Sequence, residues 1–123
     1  MIQLDTSFLI RALVAGSDQD SALRRMMRAG DDIAISAIAW AEFQCGPVSA
    51  AAIDVARHLL GDAVAFTAED AAVAAALFNE TGRRRGTLID CMIAGSCINA
   101  GAAIATANPA DFRRFEKFGL SLT

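Results

Sequence analysis

Fourteen of the 123 residues are acidic, and four of them stand where solvent has no obvious claim. Asp5 follows directly on the apolar run Ile2–Leu4, and Glu42 interrupts the apolar stretch 37–43. Asp90 is the only charge between Leu88 and Ala100, and Asp111 follows a second short apolar run, 103–105, and its turn. A carboxylate in apolar surroundings must be paired, neutralised or bound to metal, because leaving it bare costs several kcal/mol. Each of the four also has an ordinary explanation. Asp5 can cap the helix that follows it, and Glu42 can face solvent. Thr87-x-x-Asp90 and Asn108-Pro109-x-Asp111 both fit capping boxes, the second with proline at its favoured first helical position. Together the four read differently. Gathered on one edge of a sheet they would repel one another unless a hard divalent cation neutralised them, and oxygen-only donors suit Mg²⁺ or Mn²⁺ over zinc. A cation so held can activate a water and balance charge on a phosphate, so that a phosphodiester is cleaved in line.

The remaining inventory offers little competing chemistry. The single histidine, His58, has no serine or cysteine partner at motif spacing, and tyrosine is absent. There is no Walker loop and no dinucleotide fingerprint. Gly82-Arg83-Arg84-Arg85-Gly86 is a basic loop and nothing more specific. A receiver-type phospho-switch would need an aspartate after the third strand and a lysine near the site, but Phe66 is followed by Thr67-Ala68 and the only lysine is Lys117. A haloacid-type phosphatase would need Asp-x-Asp-x-Thr after the first strand, and Asp5-Thr6-Ser7 is not that.

The elements that must position these residues alternate. Strands are expected at Ile2–Leu4, Ile33–Ile35, Ala63–Phe66 and Ala103–Ala105, with a last edge strand at Leu120–Leu122. Helices are expected from Phe8 to about Ala15, over about 20–29, after a Ser36 cap, and over about Val48–Leu60. Two more should follow, one after a Thr67 cap and one over 88–100 after a Thr87 cap, with a short helical turn at Asn108-Pro109. Such alternation implies a parallel sheet covered by helices on both faces. In an open α/β sheet, strand ends and the starts of the following helices gather on one edge, and sites form there. The expectation is one α/β domain over 1–123.

Composition bounds the class. With 54% hydrophobic and 20% charged residues, the chain reads as a packed globular protein. A formal charge of −3 argues against binding nucleic acid by overall charge, but the cations are bunched as Arg24, Arg25 and Arg28, then Arg83, Arg84 and Arg85, then Arg113, Arg114 and Lys117. The first bunch reads as solvated helix surface. Cys45, Cys91 and Cys97 are odd in number, lack C-x-x-C spacing and lie in apolar runs, so buried free thiols in a reducing compartment are expected. The N-terminus lacks the pattern of a signal peptide, and no run is apolar enough to span a membrane. The expected location is cytoplasmic.

Four segments resemble PIN domains in order and spacing: Ile-Gln-Leu-Asp5-Thr6-Ser7, Ser36-x-x-x-x-Ala41-Glu42, Asp90-Cys-Met-Ile93-Ala94, and Ala105-Thr106-x-Asn108-x-x-Asp111-Phe112. The resemblance covers nearly the whole chain, and the short length together with Thr-x-Asn-x-x-Asp-Phe makes it look like a VapC toxin of a VapBC toxin–antitoxin pair. It implies a three-layer α/β/α fold with a central parallel sheet of four to five strands, and Mg²⁺- or Mn²⁺-dependent endoribonuclease activity that inhibits translation. Carried over by position, Asp5 and Asp90 would be the principal metal ligands, Glu42 would complete the shell or orient the water, and Asp111 would hold a second metal position. Thr6, Ser7 and Thr106 would add hydroxyls. In some members the fourth acid falls where Asn108 stands, which makes Asn108 a neutral ligand or supporting group. Arg83, Arg84 and Arg85 precede Asp90 and would guide RNA toward it. The resemblance also implies a homodimer and a VapB-like antitoxin that lays a tail across the site, offers it an arginine, and binds operator DNA through its own N-terminal domain. Phe8, Leu9, Leu13, Met26 and Met27 are candidate antitoxin contacts, with core packing the preferred reading of Phe8 and Leu9. The alternative function is a catalytically inactive PIN domain that only binds RNA or a protein.

Overall fold

The computed structural model describes residues 1–123. Its elements run β1 (Ile2–Leu4), α1 (Thr6–Ala12), α2 (Asp18–Arg28), β2 (Ile33–Ala34), α3 (Ala37–Cys45), α4 (Ala50–Leu60), α5 (Ala68–Glu80), α6 (Leu88–Ala100), β3 (Ala103–Ala105) and β4 (Ser121–Leu122). Two 3₁₀ turns, Pro109–Asp111 and Arg113–Phe118, link the last two strands. The four strands form a wholly parallel sheet in the order β2-β1-β3-β4. This is the α/β architecture that the alternation of elements implies.

Successive residues of a strand point to opposite faces, and both faces are covered here: Gln3 and Leu4 are buried, as are Ile104 and Ala105. The amide oxygen of Gln3 lies 3.5 Å from both Ser96 Oγ and Cys97 Sγ, so α6 covers one face. Phe43, Phe115, Leu4, Leu9, Ile35 and Ile104 are the large side chains at the centre of the core.

Most helix starts are set by small polar caps. Ser17, Ser36, Ser49 and Thr67 each accept a backbone N–H from three residues on. These caps shift some boundaries from expectation. Asp5 caps α1, so that helix begins at Thr6 and not Phe8, and it ends at Ala12. Ser17 starts α2 at Asp18, and Ser49 starts α4 at Ala50 and not at Val48. Thr87 does not cap α6 through its side chain; its hydroxyl donates to the Arg84 carbonyl at 2.7 Å.

The expected strand at 63–66 is reduced to a single parallel bridge between Ser36 and Val64. Val64 accepts from Ala37 N and donates to Ile35 O, and nothing more pairs. β2 turns into α3 at Ser36, so its neighbour has no ladder to extend along. Cys45 is exposed and not buried, because it ends α3 just before the Gly46-Pro47 break; Cys91 and Cys97 are buried as expected. Burial pushes the Cys97 thiol up to about 12, which keeps it protonated and unreactive.

The hairpin of α5 and α6 carries Asp90 and the arginine loop, and its closeness depends on Gly95. A Cβ there would lie 3.0 Å from the Ala74 nitrogen and 3.2 Å from its Cα, both backbone atoms of α5. The buried Asp70 completes a capping box with Thr67 and accepts from Asn99 at 2.7 Å, fixing the start of α5 to the end of α6. Gly95→Ala should therefore destabilise the protein by about 1–2 kcal/mol, because overpacking outweighs the ~1 kcal/mol that alanine gains in helix propensity. Urea unfolding should show a lower midpoint at an unchanged m-value; a midpoint equal to or above wild type would contradict the close packing.

Candidate active site

The parallel register of β1 and β3 puts Leu4 beside Ala105, so the residues next in line, Asp5 and Thr106, meet at the carboxyl edge of the sheet. Connections from β1 and β3 diverge there, since β1 leads to β2 on one side while β3 leads to β4 on the other. Such a switch point leaves a crevice between the loops. Here it is a cleft of about 360 Å³ whose lining includes Asp5, Glu42, Asp90 and Asp111. The fold thus brings all four carboxylates to one cleft.

Asp5 is 4% exposed. Its Oδ1 accepts from Phe8 N and Ser7 Oγ, both at 2.8 Å, and its Oδ2 accepts from Thr106 Oγ1 at 2.5 Å. The capping explanation of Asp5 is thus correct, and capping does not take the residue out of the cleft. Burial raises its pKa, partly countered by these hydrogen bonds. Ser7 and Thr106 are themselves held, by Ala107 N donating to Ser7 Oγ at 3.1 Å and Asn108 N donating to Thr106 Oγ1 at 3.0 Å. Thr6 Oγ1 bonds the Glu42 carboxylate and lies 3.3 Å from the Ala39 carbonyl. Glu42 is solvent-exposed at the mouth of the cleft, which was its ordinary explanation as well.

Asp90 stands in the first turn of α6 with its side chain 33% exposed, and Thr87 forms no capping box with it. Its pKa is raised to about 6. Burial is the main cause, and the negative charges of Asp111, Glu42 and Asp5 add to it against the opposing charge of Arg114. Asn108 and Asp111 line the same cleft, and neither caps the 3₁₀ turn through a side chain.

Arg114 was not singled out among the cations by its sequence position. Its guanidinium lies over the Phe115 ring at 4.3 Å. Nη1 donates to the Asp111 carbonyl, and Nη2 is 3.9 Å from Asp90 Oδ2. The bunching of Arg113, Arg114 and Lys117 was the available signal, but spacing could not say which of them faces the acids. The loop arginines separate in the opposite sense. Arg83, at a φ of 50°, donates to Asn79 Oδ1 at 3.0 Å, and only Arg84 of the three lines the basic depression next to the cleft. His58 bonds the Asp54 carbonyl of its own helix, away from the cleft.

The donor set fits a hard cation. The acids are all oxygen donors, and the pKa of Asp90 shows that their charges act on one another across the cleft. No three of them, nor any other three Asp, Glu, His or Cys side chains, lie close enough together to hold one metal ion between them. Mg²⁺ does not require three, since it commonly keeps several waters and binds through one or two carboxylates.

No curated protein matches the chain. Among solved structures, VapBC2 from Rickettsia felis, bound to a DNA fragment from its promoter, is similar at a TM-score of 0.77 and 24% identity, covering 100% of this chain and 98% of that one. FitAcB from Neisseria gonorrhoeae is similar at 0.75 and 20%, covering 99% and 96%. VapC20 from Mycobacterium tuberculosis, a toxin that cleaves the sarcin-ricin loop, is similar at 0.69 and 18%, covering 100% and 98%. These likenesses establish a shared fold over the whole chain. The PIN domain family model matches residues 2–117, and the chain belongs to the PIN domain family.

Proposed function

We propose that this protein is a metal-dependent endoribonuclease and the toxin of a VapBC-type pair. The convergence of Asp5, Glu42, Asp90 and Asp111 on one cleft at the switch point of a PIN fold carries this reading. Similarity in fold to VapBC structures over the full chain supports the toxin assignment.

Asp5 and Asp90 would hold a Mg²⁺ or Mn²⁺ ion, with Asp111 or Asn108 completing the set. A bound cation supplies charge to balance the phosphate and an acidified water to attack it. Asp5 is held by Ser7, Thr106 and the Phe8 amide, so its carboxylate is oriented before any ligand arrives. Glu42, held by Thr6 and open to solvent, would orient a water and accept its proton. Arg114 limits the repulsion around Asp90 and keeps the Asp111 turn in place.

The partners follow the same reading. A VapB-like antitoxin would cover the cleft and hold an apolar segment along the groove of Leu13, Leu23, Met27, Val55 and Leu59, where Met27 and Val55 are exposed. Phe8 and Leu9, candidates by position, are buried in the core and closed to such a contact. The toxin would act as a homodimer within a larger assembly on operator DNA, and in the cytoplasm.

Incubated with total bacterial RNA and Mg²⁺ or Mn²⁺, the wild type should make discrete cuts, mapped as new 5′ ends, that EDTA abolishes. Asp90→Asn should slow them by more than about a hundredfold, beyond the cost of losing an outer-shell partner at a metal site. Uncut RNA from folded, antitoxin-free protein would favour the inactive binding module.

Stability should report the same charges without RNA. The Asp90 carboxyl is raised from its ordinary 3.8 to about 6 in the fold. A raised carboxyl favours the folded state while protonated, so that contribution is present below about pH 4 and is lost as pH rises through 6. Asp5, also raised, acts in the same direction. Metal-free Asp90→Asn should therefore melt higher than wild type at pH 7.5, by roughly 3–5 °C, and depend less on pH between 4 and 7. Mn²⁺ should raise the wild-type Tm and leave the variant's unchanged. A variant that melts lower, beside a wild type indifferent to Mn²⁺, would remove the cation from the proposal.

A further inference from the structure

We propose that the depression beside the carboxylate cleft is a subsite for a backbone phosphate of the RNA strand, next to the phosphate over the carboxylates. This rests on the ribonuclease reading and adds where the strand runs. The depression, about 500 Å³, is lined by Thr81, Arg84, Arg113, Arg114, Glu116 and Lys117, with no apolar residue among them. Four cations face one carboxylate there, on a chain whose formal charge is −3. Of the four only Arg114 has an ion-pair partner, Asp90, and that contact is 3.9 Å. Cations held close together without partners repel one another, and a polyanion relieves the repulsion while releasing its own counterions.

Arg114 links the two cavities. It lines the depression, while Asp90, beside its Nη2, and Asp111, whose carbonyl accepts from Nη1, line the cleft. A strand crossing from carboxylates to cations therefore passes over a single side chain. Arg114 Nε and Nη2 are also buried without a hydrogen-bond acceptor. With Nη2 turned to Asp90, Arg114 sits between the two cavities, while Arg84, Arg113 and Lys117 are the exposed cations that a phosphate entering the depression would meet. The absence of any apolar residue from the lining argues against a partner helix in this depression. The subsite is built from two segments, the loop through Arg84 and the 3₁₀ turn 113–118. Of the run Arg83–Arg85, only Arg84 lines it.

The test uses a fluorescent single-stranded RNA 12-mer, bound by full-length protein in the inactive Asp90→Asn background over a range of salt. Removing three cations with Arg84→Ala, Arg113→Ala and Lys117→Ala together should reduce the slope of log K against log salt by about 2, at ~0.7 per phosphate contact. Replacing both arginines by lysine should preserve the slope, because counterion release counts charges. Removing Arg24, Arg25 and Arg28 from α2, an equal loss of charge, should leave it unchanged. In the active background the triple variant should raise KM about tenfold at low salt with kcat within about twofold, since the lost contact is made equally in ground and transition states. A slope unchanged in the folded triple variant, or reduced equally by the α2 control, would overturn the subsite. So would an acidic peptide binding there while the RNA does not. A slope that falls as expected in a protein that never cuts RNA would leave the subsite standing and sink the nuclease reading instead.

Discussion

The parallel pairing of β1 with β3 sets Leu4 beside Ala105, and the cleft is built outward from that register. It makes Asp5 and Thr106 neighbours at the sheet edge, close enough for a 2.5 Å hydrogen bond, and through Ser7 it ties the start of α1 to the loop after β3. A slip of one residue would turn every side chain of β1 to the other face and send Asp5 away from the edge. Burial on both faces prevents the slip, since Leu4 on one side and Gln3 against α6 on the other each fit only their own environment. The position of Asp90 depends on the same frame. It opens α6, and α6 is held to the sheet by Cys97 and to α5 by Gly95.

The register creates an electrostatic problem that the fold only partly relieves. Three hydrogen bonds satisfy Asp5, yet burial still raises its pKa, and Asp90 is raised to about 6 with the other three acids contributing. Arg114 is the nearest counter-charge, at 3.9 Å and with two of its own nitrogens unpartnered, so it offsets the repulsion without cancelling it. A site that stays short of positive charge costs the folded state stability and gains affinity for a cation or for the cationic group of a partner. Such strain at functional positions is a common trade between stability and activity.

Some of this was legible residue by residue. Asp90 stood out as the one charge in a thirteen-residue helix, and the middle of that helix is buried. The serine and threonine caps marked most helix starts to within a residue or two. The capping boxes proposed for Asp90 and Asp111 do not form, because Thr87 turns back to the Arg84 carbonyl and the 3₁₀ turn after Asn108 leaves that side chain free. The strand over 63–66 was lost because pairing is a property of two segments, and its partner ends at Ser36. Cys45, in an apolar run, is exposed because burial depends on which side of a helix end a residue falls.

Local chemistry therefore determined what the chain could declare alone: the alternation of elements, the caps, the four acids in apolar or strand-end positions, and the family that their order resembles. Distances between segments were decided only by the tertiary structure. That Arg114 and not the 83–85 loop faces Asp90, that Arg84 joins Arg113 and Lys117 across some thirty positions of sequence, and that Asn108 and Asp111 share one cleft all follow from how helices pack on the sheet. Spacing along a chain sets which side chains share an element and a face. Coulomb interactions and desolvation depend on separation in space, and packing alone sets that.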